Sequence, residues 1–194
     1  MKIYETKVEA GTKQWLKIPV DEECSLKAAA FCGSRPGKRL IVTAGVHGCE
    51  YIGILAVSRL IQELDPRQMK GEVVFLPIAN EGGFYKEIKQ LVPEDGVNLN
   101  RAFPGTEMGS RSAKIAAAVE TYLYPDADFL VDLHSGDIHE MVVPFAFFPV
   151  AAGETVEKRR LQRQERCLCR GEWHQRRKMV CTAGQRRKES RLFY

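Results

Sequence analysis

Apolar positions along the first two-thirds of the chain fall into short continuous runs separated by amphipathic stretches. Lys2–Val8, Gln14–Val20 and Leu26–Cys32 predict short strands, set off by Gly11, by Asp21-Glu22-Glu23 and by Gly33-Ser34-Arg35-Pro36-Gly37. Arg39–Ala44 is β-branched and unbroken, which suits a strand covered on both faces. In Gly53–Leu64, Ile54, Leu55, Val57, Leu60, Ile61 and Leu64 recur at helical spacing, and Asp65-Pro66 ends the pattern. Glu72–Ile78 predicts a second core strand. Asn80 to about Gly109 then reads as a long loop broken by Lys86–Leu91. A loop this long in a compact domain is often functional. Ser110–Tyr124 predicts a helix with Ser110 as N-cap, Asp128–Leu133 a third core strand and Met141–Phe148 a fourth. This alternation predicts an α/β domain with a largely parallel sheet.

The pattern stops near residue 150. Residues 1–150 carry 16 Lys and Arg against 20 Asp and Glu, a net charge of −4. Residues 151–194 carry 13 against 5, a net charge of +8, with ten Arg and no Pro, Asn, Asp or Ile. The whole-chain charge of +4 therefore hides two unlike segments. Glu157–Arg166 has no apolar stripe and cannot complete the core of the preceding domain. Residues 151–194 read as a disordered basic extension or as an out-of-frame continuation of the domain's second half. A nucleic-acid-binding arm is a further reading, with only Trp173, Phe193 and Tyr194 to interleave aromatics. The set Cys167, Cys169, His174 and Cys181 has irregular spacing for a metal knuckle.

Length and composition bound the rest. The 194 residues suffice for one domain with a core, and 44% hydrophobic with 28% charged residues is ordinary for a globular protein. Met1-Lys2-Ile3-Tyr4-Glu5 lacks the apolar core of a signal peptide, no run is apolar enough to span a bilayer, and a cytoplasmic location is expected. The six cysteines show no zinc-finger or compact disulfide spacing, so reduced thiols are expected.

Candidate chemistry concentrates at strand ends. His47 and Glu50 follow the Arg39–Ala44 strand, and His134 follows Asp128–Leu133. Open α/β sheets bind ligands beyond the carboxyl ends of their strands, and all three residues land there. Two imidazoles and a carboxylate fill three corners of a catalytic zinc site and leave the fourth open. His47-x-x-Glu50 alone is equally an incidental surface ion pair; the second strand-end histidine is what points to a metal. Asp132 is a candidate acceptor for a ligand histidine, or points into the core. His139 reads as a loop residue and Cys49 as a small buried one. Asn98–Gly105 adds Asn100 and Arg101, an amide and a planar guanidinium suited to a carboxylate, although Arg101 could instead pair with Asp95.

Three ordered motifs, Gly45-Val46-His47-Gly48-Cys49-Glu50-Tyr51-Ile52-Gly53, Asn98-Leu99-Asn100-Arg101-Ala102-Phe103-Pro104-Gly105 and Asp132-Leu133-His134-Ser135-Gly136-Asp137, resemble the succinylglutamate desuccinylase/aspartoacylase family over about residues 1–150. The resemblance implies a zinc carboxypeptidase-like α/β/α sandwich with a mostly parallel or mixed sheet. It implies one Zn²⁺ per chain held by His47, Glu50 and His134, and a substrate carboxylate held by Asn100 and Arg101. It further implies hydrolysis of an N-acyl amide, or a related ester, of a small amino-acid-like substrate.

The chain departs from that pattern in three respects. The family's general-base Glu lies on a later strand, and Glu154, Glu157, Glu165 and Glu172 stand in polar, Arg-rich sequence without one. The second motif usually begins with Asp where this chain has Asn98. A further Arg before it is matched only by Lys86 or Lys89. The domain therefore reads as truncated. A catalytically impaired zinc- or carboxylate-binding protein stands beside the hydrolase reading. Nucleic-acid binding through the tail comes behind both, and a homo-oligomer is compatible with either.

Overall fold

The structure, a computed structural model, describes residues 1–143. A hairpin of β1 (Lys2–Ile3) and β2 (Thr6–Lys7) precedes a five-stranded sheet. The sheet contains β3 (Thr12–Pro19), β4 (Ser25–Cys32), β5 (Arg35–Ala44), β6 (Lys70–Leu76) and β7 (Phe129–Leu133), in the order β3-β4-β6-β5-β7. The β3/β4 and β4/β6 pairs are antiparallel, and β6/β5 and β5/β7 are parallel. The sheet is thus mixed rather than largely parallel. The sequential β3–β4 pair closes as a hairpin, whereas the parallel pairs each need a crossover. Helices α1 (Tyr51–Glu63) and α3 (Arg111–Ala118) supply those crossovers, and a short α2 (Glu81–Tyr85) lies between them.

Side-chain alternation divides the core cleanly. Ala28, Ala30, Ile41, Val74 and Leu76 share one face with Ile115 and Ala116 of α3. Ala29, Phe31, Val42, Ala44 and Phe75 share the other with Ile54, Val57 and Ile61 of α1. Both faces are covered, as in an α/β/α sandwich, because the central strands are apolar at successive positions. Phe31 and Phe75 are fully buried and meet edge-on at 5.4 Å between centroids. Each contributes roughly 1.5–3 kcal/mol of transfer free energy.

Several local expectations are corrected. Lys2–Val8 is a hairpin and not one strand, because Tyr4 turns the chain at φ 50°. Its ring lies edge-on to Tyr122 at 4.8 Å, which holds that turn in place. The Gly33–Gly37 turn extends only to Ser34. The strand begins at Arg35 and shifts register before Arg39, absorbing Pro36 as an irregularity. The long loop is broken at Glu81–Tyr85 and not at Lys86–Leu91, because the buried Asn80 side chain caps that turn at Gly83 N, 2.9 Å away. The predicted Ser110–Tyr124 helix is α3 followed by a π-helical turn, Val119–Leu123. Ser110 occupies the N-cap without capping; the Asp95 carboxylate accepts from Ser112 N at 2.7 Å instead. Met141–Val143 is not strand, and the rest of the Met141–Phe148 expectation lies outside the described residues, as does 151–194.

Candidate metal centre

Parallel pairing of β5 and β7 puts their carboxyl ends side by side, with Ala44 opposite Leu133. His47 leaves the first strand end and His134 the second, 87 positions apart in sequence but adjacent in space. Glu50 sits at the N-cap of α1 between them. Two glycines make this convergence possible. A Cβ on Gly53 would meet the Leu133 carbonyl oxygen at 2.8 Å, so only glycine lets α1 come this close to the end of β7. A Cβ on Gly48 would meet Gly83 C at 2.3 Å and Phe84 N at 2.4 Å, so the His47 turn lies directly on α2.

The Glu50 carboxylate lies between the two rings. Oε1 is 2.7 Å from His47 Nδ1, and Oε2 is 2.8 Å from His134 Nδ1 and accepts from Ser135 N at 3.0 Å. One ligand atom from each of the three residues lies within 4.8 Å of the others. The ring centroids are 5.0 Å apart. His47 is buried, 8% exposed.

The outward ring nitrogens are also held. Asn98 Oδ1 already accepts from Asn100 N at 2.9 Å, which orients the amide, and His47 Nε2 donates to the same oxygen at 3.1 Å. Asp132 Oδ2 accepts from His134 Nε2 at 2.6 Å, so Asp132 serves His134 rather than the core. With both Nε2–H groups committed outward, the Nδ1 atoms and the carboxylate face one point. A divalent cation suits such a donor set, and outward hydrogen bonds of this kind fix ring tautomer and orientation.

Charge at the cluster follows from the same contacts. Burial favours the neutral form of Glu50, but its contacts with the His134 and His47 rings outweigh it and hold the carboxyl at about 2. Burial likewise opposes charge on His134, yet its bonds to Asp132 and Glu50 raise it to about 10. A proton on His134 thus balances two carboxylates where a cation would otherwise do so.

Asn100 and Arg101 lie on a 3₁₀ turn, Leu99–Arg101, anchored by the fully buried Leu99 and capped by the Asn98 side chain. The structure joins this turn to the cluster through Asn98; neither Asn100 nor Arg101 itself bonds to the three. Arg101 is exposed and, among the described residues, donates only to Asn100 O, at 3.4 Å. The alternative of an Arg101–Asp95 pair is not seen, because Asp95 is taken by Ser112 N and Val97 N. Lys89 pairs with Asp137 and with Glu140 at 3.0 Å, across to the loop after His134, while Lys86 is exposed. Cys49 is buried, His139 lies in an exposed loop, and His174 is outside the described residues. Sequence reasoning missed Thr43, whose hydroxyl donates to Asp132 Oδ1 at 2.7 Å. A threonine inside a β-branched strand carries no visible signal of such a role.

Similarity to known proteins agrees with this geometry. The model of the succinylglutamate desuccinylase/aspartoacylase catalytic domain matches residues 36–167. An N-alpha-acetyl-L-2,4-diaminobutyric acid deacetylase of Halomonas elongata is 33% identical over 153 residues, which is 76% of this chain and 44% of that protein. The chain therefore spans less than half the length of this curated relative. A solved succinylglutamate desuccinylase from a Silicibacter species is 30% identical, covers 72% of this chain and 44% of its own, and superposes with a TM-score of 0.63. The product-bound ectoine utilization protein of Ruegeria pomeroyi is 28% identical over 75% of this chain and 46% of its own, again with a TM-score of 0.63. These matches, with the carboxypeptidase-like sheet they share, show that the chain belongs to the succinylglutamate desuccinylase/aspartoacylase family.

Proposed function

We propose that residues 1–150 are the N-terminal part of a zinc hydrolase catalytic domain that cleaves an N-acyl amide, or a related ester, of an amino-acid-like carboxylate. The observation that carries this reading is the convergence of His47 Nδ1, His134 Nδ1 and the Glu50 carboxylate with both Nε2 atoms tied outward. Two imidazoles and one carboxylate are a catalytic zinc set that leaves a coordination position open. Zinc bound there would supply Lewis-acid polarisation of the acyl carbonyl and lower the pKa of water at the site.

The chain's own residues do the positioning. Asn98 and Asp132 hold the rings, and Gly48 and Gly53 let them approach. Arg101 presents a guanidinium without an ion pair among the described residues, which suits a substrate carboxylate, with the Asn100 amide beside it. Glu50 and Asp132 are both committed to imidazoles, so neither is assigned proton transfer to the leaving amine. The Halomonas relative, named for N-alpha-acetyl-L-2,4-diaminobutyric acid, makes N-acetyl amino acids the first substrates to try. Among the described residues no helix is long and apolar enough to cross a membrane.

The test is zinc content and hydrolysis on the same preparation. One zinc per chain, lost in His47→Ala and His134→Ala, with release of acetate from N-acetyl-diaminobutyrate or succinate from N-succinylglutamate, supports the hydrolase. Zinc without hydrolysis supports the impaired zinc- or carboxylate-binding protein. Absence of stoichiometric zinc after metal-replete purification overturns both.

A further inference from the structure

We propose that Thr43 is a positioning residue for the metal-facing side of His134, acting through Asp132. The inference rests on the zinc site proposed above. Thr43 and Asp132 are directly opposed in the β5/β7 register, on strands that end at the cluster. Thr43 is buried, 4% exposed, in the otherwise apolar run Leu40-Ile41-Val42-Thr43-Ala44. Valine has the same β-branched shape, so the outline of the site alone does not call for a hydroxyl.

The hydroxyl has a defined task in the geometry. Thr43 Oγ1 donates to Asp132 Oδ1 at 2.7 Å, and His134 Nε2 donates to Asp132 Oδ2 at 2.6 Å. Each carboxylate oxygen thus has its own donor, one from the neighbouring strand and one from the ligand. Two bonds on opposite oxygens set the rotation of the carboxylate about its terminal torsion, which is otherwise broad. The carboxylate in turn sets the plane of the imidazole and directs Nδ1 toward Glu50. Without the hydroxyl, Asp132 Oδ1 loses its donor in a part-buried site and the carboxylate is free to rotate toward other partners. His134 then keeps its place in the chain but loses its fixed aim. Outer partners of this kind are worth about 10–100-fold in metal affinity.

The experiment compares wild type, Thr43→Val and Thr43→Ser. Zinc affinity is read by chelator competition, the ligand field by the visible absorption of the cobalt-loaded protein, and folding by thermal melting of the metal-free protein. Thr43→Val is expected to bind zinc about 10–100-fold more weakly and to alter the cobalt spectrum. Thr43→Ser, which keeps the hydroxyl, is expected to restore both. A merely structural role would move the metal-free melting temperature and leave affinity corrected for folding unchanged, and that result overturns the assignment. So does a serine variant as weak as valine. If Thr43→Val does not fold, Thr43→Ala is read by the same titrations. Wild type that holds zinc with an unaffected Thr43→Val overturns the Thr43 role alone; wild type that holds none overturns the metal site and the role with it.

Discussion

Gly48 and Gly83 are in backbone contact: a Cβ built on Gly48 would stand 2.3 Å from the Gly83 carbonyl carbon. The turn that carries His47 therefore rests on the first turn of α2, which the buried Asn80 side chain caps. Gly48→Ala puts a methyl against backbone that cannot rotate away, so one of the two segments must move. Overpacking of this kind costs typically about 1–3 kcal/mol. The expected outcome is a lower melting temperature together with loss of zinc, since His47 moves with the turn. A variant that melts and binds zinc like wild type would show that the contact does not set the ligand.

Asn98 couples the candidate metal site to the candidate substrate turn through one atom. Its Oδ1 accepts from His47 Nε2 and from Asn100 N, so the same amide holds the His47 ring and caps the turn bearing Arg101. Asn98→Ala should weaken zinc binding by about 10–100-fold and also weaken binding of an N-acyl amino acid to zinc-loaded protein. Asn98→Asp keeps an acceptor in place and should preserve both. Titration calorimetry with zinc and then with N-acetylaspartate checks this; a loss in only one of the two would break the proposed coupling.

Much of this was legible in the chain itself, and the exceptions have physical causes. The strands ending at Ala44 and Leu133 were readable because predominantly apolar runs lead straight into Gly45 in one and His134 in the other. The grouping of His47, Glu50 and His134 followed from placing both histidines at strand ends of one sheet. The Tyr4 turn was not readable, since a left-handed tyrosine is stabilised by Tyr122, far along the chain. Antiparallel pairing of β4 with β6 leaves no local mark either, because their contact is made across the sheet. Asn98 looked like a departure from the family pattern. Its use depends on His47, 51 positions away, and is visible only once both are placed. Ser110 looked like a cap, and Asp95 took that role through the loop's geometry.

Acid sensitivity should have a separate source. The Arg111 guanidinium bonds Asp21 at 2.7 Å and, aided by backbone donors from Glu23 and Cys24, holds its carboxyl at about 2. An acid whose folded pKa lies below its unfolded value of about 3.9 stabilises the fold above that value. The contribution is lost as pH falls from about 4 through 2. Asp21→Asn or Arg111→Gln should therefore lower stability near neutrality slightly and flatten the acid limb between those values. The pair is solvent-accessible, so the effect is of the order of 1 kcal/mol or less. Denaturant midpoints at a series of pH values, wild type against variant, measure it. Parallel acid limbs would assign the sensitivity elsewhere.

Arg101 offers the sharpest separation of binding from folding. It is exposed, its only hydrogen bond among the described residues is to the neighbouring Asn100 carbonyl, and Leu99 rather than Arg101 anchors the turn. Replacing it should leave melting temperature and zinc content unchanged. Lysine keeps the charge but loses the fork that grips both oxygens of a carboxylate, and charge-assisted hydrogen bonds are worth about 1.5–3 kcal/mol each. Arg101→Lys should therefore weaken binding of an N-acyl amino acid to zinc-loaded protein by about 10-fold or more, and Arg101→Ala further still. An N-acyl amine lacking the carboxylate should bind wild type and both variants alike. Equal affinity of wild type and Arg101→Ala for the carboxylate ligand would remove Arg101 from the substrate site and leave the metal cluster without an identified anchor for an acidic substrate.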